Sequence, residues 1–168
     1  MYRRFAAMIA ASTVIMFVLM YVNTYVADHI WFSQTRMWMA CVMGAAMAAT
    51  MLIAMISMYK NKQANFGIIV GSLLLLVISV WLVRSQETVD DVSYMKAMIP
   101  HHSIAIMTSE RAHIRDPRVR KLADGIIEAQ VREIGEMEAL ITALEANPTP
   151  TQAKDLPPYD KRSTTEGE

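Results

Sequence analysis

His101 and His102 follow Met95 and Met98 closely, and Gln130, Glu133 and Met137 stand on the next segment downstream. On a helix, steps of three and four residues share one face. Met95, Met98, His102, Ile106, Ser109 and His113 fall on such a face, and His101 lies about 100° round from it. Thioethers are soft, neutral ligands, and together with imidazole they favour Cu(I) over hard cations. Zinc ordinarily takes cysteine, histidine and carboxylate, and this chain has a single cysteine. The set therefore suits copper or silver. The same residues also read as methionine core filler and a satisfied histidine pair beside Pro100, and both readings stand at this level.

Two helices must carry these residues. The first is expected over Val89 to Ile114, capped by Thr88 with Asp91 three residues on and kinked at Pro100, which removes a backbone donor. Asp116–Pro117 is a cap followed by a first-turn proline. The second helix then runs to about Ala146, where Asn147–Pro148 ends it. Its apolar seam is predicted as Val119, Ala123, Ile126, Met137, Leu140 and Leu144, with Gln130 and Glu133 in mid-seam. Polar groups on a buried seam need partners. A tight turn at Arg115–Pro117 sets the register. It places His102 opposite Gln130, Met98 opposite Ile134 and Met95 opposite Met137. The predicted cluster is Met95, Met98, His101 or His102, Gln130, Glu133 and Met137.

Upstream of this hairpin the chain changes character. Residues 1–83 carry a net charge of +4 and residues 84–168 a net charge of −4, so the zero sum averages two unlike halves. Neutrality overall argues against a nucleic-acid partner. Phe5 to Ala27, Met37 to Tyr59 and Phe66 to Val83 are apolar runs without a charged residue. A bilayer core is crossed by about 20 helical residues, so three spans are expected. The first run is too long for the apolar part of a signal peptide, and no small-x-small cleavage site follows it. Arg3, Arg4, Lys60 and Lys62 flank one side of the spans and Arg36 and Arg84 the other. The richer side should be cytoplasmic, which puts the N-terminus inside and the hairpin outside. In a bacterium that means the inner membrane, with the hairpin periplasmic or extracellular.

Eleven of the 15 methionines lie in the membrane half. Met39, Met43, Met47, Met51, Met55 and Met58 form a slowly winding band on the second span. It reads as a thioether path or as packing filler. Cys41 near it is read as a small apolar residue. Gly67 and Gly71 make a small-xxx-small pair suited to close helix contact. His29, in the short outer loop, is either a polar loop residue or a contributor to an outer metal site.

Glu110-Arg-Ala-His113 is a Glu-x-x-His motif of the kind found in di-iron bundles. The register puts Leu122 opposite Glu110 and leaves Glu133 about 16 Å away along the axis, so no di-iron centre is expected. Glu110 and Arg111 read as solvated, and His113 as a helix-end residue. No nucleophile sits beside a base and no phosphate loop is present, so the chain is not expected to be an enzyme.

The stretch Tyr94-Met-Lys-Ala-Met-Ile-Pro-His-His-Ser-Ile-Ala-Ile-Met107 resembles the signature of the domain of unknown function 305 family. Leu122-Ala-Asp-Gly-Ile-Ile-Glu-Ala-Gln-Val-Arg-Glu-Ile-Gly-Glu-Met137 looks like its second half. The resemblance covers roughly residues 90 to 145. It implies a ferritin-like helical bundle and periplasmic copper binding and resistance, with Met95, Met98, His101, His102, Met107 and Met137 as candidate metal ligands. This chain has one copy of the unit where some members have two, and a three-span region where they have a cleaved signal.

The expected fold is all-α. Residues 1–84 form a three-helix membrane region, 85–146 a His/Met-rich hairpin, and 147–168 a disordered tail. Two helices of some 25 residues enclose little core. A homodimer would complete a four-helix bundle; leaning on the membrane helices is the alternative. The expected function is membrane-anchored Cu(I) buffering, handover or resistance, with copper-handling proteins and lipid as partners. The competing expectation is a structural or interaction module without metal.

Overall fold

The computed structural model describes residues 1–150 and 152–157, and all regular structure among them is helical. Five helices follow in order: α1 Tyr2–Leu19, α2 Gln34–Ala54, α3 Lys62–Ser85, α4 Asp91–Arg111 and α5 Pro117–Ala146. Short 3₁₀ turns occupy Ala27–His29 and Ile56–Met58. The expected disordered tail over 147–168 lies largely outside the described residues. Within it, Thr149 reaches back to the Asp91 carboxylate.

Helices α1, α2 and α3 are long and apolar enough to cross a membrane. Their outer surfaces agree with that: Leu73, Leu74, Val77 and Ile78 of α3 are all more than half exposed. Water would not tolerate so continuous an apolar face, whereas hydrocarbon does. Both α1 and α3 pack on α2. The close approach occurs at Gly44, where a Cβ would stand 2.3 Å from Thr13 Oγ1. Gly67 and Gly71, by contrast, have no atom within 4 Å of a Cβ position. The expected close contact at that pair is therefore not made within the chain. Between α1 and α3 an apolar cleft of about 480 Å³ opens over the small residues Cys41, Gly44, Ala45 and Ala48.

The helix limits depart from the apolar runs for identifiable reasons. Residues 20–27 belong to the first apolar run but leave the helix. The Arg36 guanidinium donates to the Met20 carbonyl and stacks over the Tyr21 ring, and the Ser33 amide donates to the Tyr21 hydroxyl. These contacts turn the chain and start α2, which Ser33 caps by accepting from the Arg36 amide. At the other end α2 stops at Ala54, so Met55 and Met58 fall outside it and the methionine band is interrupted. Met51 and Met55 pack with Phe5, Leu52 and Tyr59.

In the hairpin, α5 begins and ends as expected, with Asp116 capping the Arg118 amide and Pro117 in the first turn. Helix α4 is capped by Asp90, which accepts from the Ser93 amide at 2.7 Å, and not by Thr88. Thr88 lies too far upstream once the left-handed Gln86 has ended α3. The helix continues through Pro100, which is fully buried. The seam of α5 is also turned from its predicted position. Ala123, Ile134 and Ile141 are buried against α4, whereas Val119, Ile126 and Leu140 are 49%, 36% and 53% exposed. Apolar residues occur on two adjoining faces of α5, and periodicity alone cannot rank them.

A third layer completes the hairpin. The loop between α1 and α2 lies along α4. The Tyr25 amide donates to Ser103 Oγ at 2.7 Å, and His29 Nδ1 meets the same oxygen at 2.9 Å. Trp31 packs on the hairpin core with Lys96 over its ring, and Gln34 donates to Ser93. Burying Ile99, Ile106, Ile134 and Ile141 contributes about 1.5–3 kcal/mol each, which is modest against the cost of ordering two long helices. Tyr25 and Trp31 enlarge that core from outside the hairpin. The hairpin thus leans on the membrane region through the α1–α2 loop.

Candidate metal-binding site

The centre of the hairpin is His102, 9% exposed. Its position follows from α4: it stands one turn beyond Met98 and three residues after Ile99, on the flank that turns towards α5. Its Nδ1 lies 2.9 Å from the Met98 carbonyl and its Nε2 lies 2.8 Å from Glu133 Oε2. A nitrogen facing a carbonyl must donate, so Nδ1 carries a proton. Nε2 is the nitrogen directed across the interhelix space. An imidazole anchored through Nδ1–H on a backbone oxygen is oriented for metal binding through the other nitrogen. Here that nitrogen meets the Glu133 carboxylate, whose side chain is 41% exposed, and a proton lies between the two that must leave before a metal can bind.

The thioethers lie along the same two helices. Met95 is buried in the hairpin core with Ile99 and Ile134, and Met137 packs against the same cluster. Met98 is half-buried, one turn before His102. His101 is exposed, its ring centroid 5.9 Å from that of His102. Met107 is half-buried, about 140° round the helix from His102. Met98 thus stands one turn from His102 with Glu133 opposite, Met95 stands two turns from His102 in the apolar core on which Met137 also packs, and His101 and Met107 lie on other faces of α4. The register differs from the predicted one. His102 meets Glu133 in place of Gln130, because α4 ends at Arg111 and the connection of five residues is longer than the tight turn assumed. Among the described residues, no group of three or more His, Cys, Asp or Glu side chains is placed to hold a metal ion. Any soft-metal site here would depend on the methionines.

No periodic or motif signal marks the loop contacts. Ser103 is fully buried between the loop and α4, yet its position beside two histidines carries no periodic signal. Glu110 is exposed, as expected, and its carboxylate near the Tyr25 hydroxyl raises the phenol above its usual pKa. His113 lies beyond the end of α4. His29 is held by Ser103.

Three membrane-length helices joined to a His/Met helical hairpin, braced by a loop from the first two, define the class of protein. The hairpin has relatives. Residues 91–167 match the family described as "Domain of unknown function (DUF305)", as the signature in α4 and α5 led us to expect, and the match opens at the first residue of α4. The uncharacterized protein L153 of Acanthamoeba polyphaga mimivirus is 35% identical over 89 residues, which cover 49% of this chain and 59% of that protein. The chain thus spans less than two thirds of this relative's length. No solved structure matches it.

Proposed function

We propose that the chain is a membrane-anchored Cu(I)-binding protein of the bacterial inner membrane, whose hairpin lies on the periplasmic or outer side and buffers or hands over the ion. The observation that carries the reading is His102. Its ring is fixed through Nδ1 on the Met98 carbonyl, and its Nε2 points into the space between α4 and α5. The thioethers of Met95 and Met137 belong to the same packed region. Soft sulfur with one imidazole suits Cu(I), and Ag(I) by the same chemistry. His102 with Met95, Met98 and Met137 would hold the ion, and binding would require Nε2 to leave Glu133. His101 and Met107, implied by the family resemblance, stand on other faces of α4 and would join only as outer ligands. The orientation rests on the flanking charges, with Arg3, Arg4, Lys60 and Lys62 on the cytoplasmic side.

The test is Cu(I) titration of the full-length protein in detergent and reducing buffer, against a chromophoric competitor. The full chain is required because the α1–α2 loop forms part of the hairpin's core. His101→Ala with His102→Ala should abolish binding, and binding equal to the parent's would overturn the assignment. A reporter fused after Arg84 should read as extracytoplasmic, and a cytoplasmic signal would reverse the topology.

One observation favours a second reading. Both ring nitrogens of His102 already have protein partners, as expected of a residue that simply ties α4 to α5. On that reading the hairpin is a structural module without metal, and the titration finds no binding in the parent protein.

A further inference from the structure

Helix α5 carries an apolar strip that nothing among the described residues covers. Val119, Leu122, Ile126 and Leu140 are 49%, 65%, 36% and 53% exposed. On the helical wheel Leu122, Ile126, Glu133 and Leu140 fall within about 40° of one another. The strip therefore runs along the flank of α5 that carries Glu133, beside its contact with His102. Ser103, which holds the α1–α2 loop, is about 100° round α4 from His102. The loop covers one side of the hairpin, and the strip lies on the side where His102 and Glu133 meet. Around Leu122 and Ile126 a shallow groove follows Gly125 and Ala129, and a Cβ at Gly125 would meet no atom within 4 Å.

This helix is amphipathic and lies outside the three membrane-length segments, so the strip is not part of a bilayer span. Charge indicates what covers it. Residues 117–127 of α5 hold Arg118, Arg120 and Lys121 against Asp124, a net +2. Residues 128–146 hold Glu128, Glu133, Glu136, Glu138 and Glu145 against Arg132, a net −4. A second α5 laid antiparallel brings the basic end of each helix beside the acidic end of the other. A parallel arrangement sets the two acidic segments together. Antiparallel packing also opposes the two helix dipoles favourably.

We propose that this face of α5 docks a second copy of the chain, α5 against α5 antiparallel, with Leu122 of each copy beside Leu140 of the other. The two hairpins together make a four-helix bundle, and the flank bearing Glu133 and His102 faces its interior. The arrangement does not depend on metal, so it goes beyond the copper reading and is tested apart from it.

Cysteine crosslinking of the full-length protein in nanodiscs, with chelator present and Cys41→Ser as background, decides the matter. Leu122 and Leu140 of one chain are about 27 Å apart along the helix, so no disulfide can form between them within a copy. The Leu122→Cys, Leu140→Cys double variant should give a covalent dimer under mild oxidation. Each single variant should stay monomeric on a denaturing gel, because like positions are equally far apart in the antiparallel pair. Val131→Cys lies at the level of the two-fold axis but on the other flank, and should also stay monomeric. Leu122→Asp, at an exposed position, should convert the uncrosslinked dimer to monomer by light scattering while leaving helicity unchanged. Failure of the double variant to crosslink, crosslinking of the single variants, or equal crosslinking at Val131 would each overturn the proposal. Cu(I) titration of the same samples reports the metal reading separately, so either can fail alone.

Discussion

His102 Nε2 lies 2.8 Å from Glu133 Oε2 and is the polar tie between α4 and α5 at the centre of the hairpin. Removing either partner leaves the other half-buried without its hydrogen bond, which costs about 1–3 kcal/mol. Glu133→Ala and His102→Ala should each lower the unfolding free energy by such an amount. Combined, they should cost less than the sum, since the second removes a group already orphaned. A double-mutant cycle by thermal unfolding measures this, and strict additivity would show that the pair contributes no coupling.

Ser103 is the corresponding tie between the hairpin and the membrane region. Its hydroxyl oxygen serves the Tyr25 amide and His29 Nδ1 from a fully buried position. Ser103→Ala orphans both, at about 1–3 kcal/mol. The expected result is faster proteolysis within residues 24–33, with α1 to α3 still intact. Unchanged loop cleavage would mean that Trp31 packing alone holds the loop.

Helices α1 and α2 meet where Gly44 allows it. A Cβ there would stand 2.3 Å from Thr13 Oγ1. Gly44→Ala should destabilise the α1–α2 contact by about 1–3 kcal/mol, the usual range for overpacking. Thr13→Ala should restore much of the loss, because it removes Oγ1 and Cγ2 and leaves only the Thr13 Cβ, at 3.3 Å. Gly71→Ala, facing open space, should be neutral or mildly stabilising through helix propensity. Thermal melting in detergent distinguishes the three.

Acid should loosen the hairpin at its helix starts. The Ser93 amide and hydroxyl hold the Asp90 carboxyl below its usual range, and Arg118 does the same for Asp116. A depressed folded-state pKa means the stabilisation is complete above the ordinary carboxylate range. It is lost as pH falls through that range to the folded value. Asp90→Asn should flatten the acid limb of a stability–pH curve, and Asp90→Ala should cost about 1 kcal/mol at neutral pH as a lost cap. A variant whose acid limb matches the parent's would exclude Asp90 as its source.

Local signals in the sequence determined much of this protein. Uncharged apolar runs located α1, α2 and α3, because crossing hydrocarbon demands length and apolarity and little else. Asp116–Pro117 and Asn147–Pro148 fixed the limits of α5, because caps and prolines act on their own backbone. The spacing of Met95, Met98 and His102 assigned them to one face of α4, because helical period is a local property. The tertiary structure decided which partner each residue has. The register between α4 and α5 followed the length of the connection, so Glu133 and not Gln130 reached His102. The packed face of α5 was Ala123, Ile134 and Ile141, because two apolar faces look alike until one of them has a neighbour. The loop that braces α4 was invisible, since Tyr25, His29 and Trp31 acquire their roles only when a segment some 70 residues away folds against them. Periodicity records what a helix can bury, and only the assembled chain shows what it buries it against.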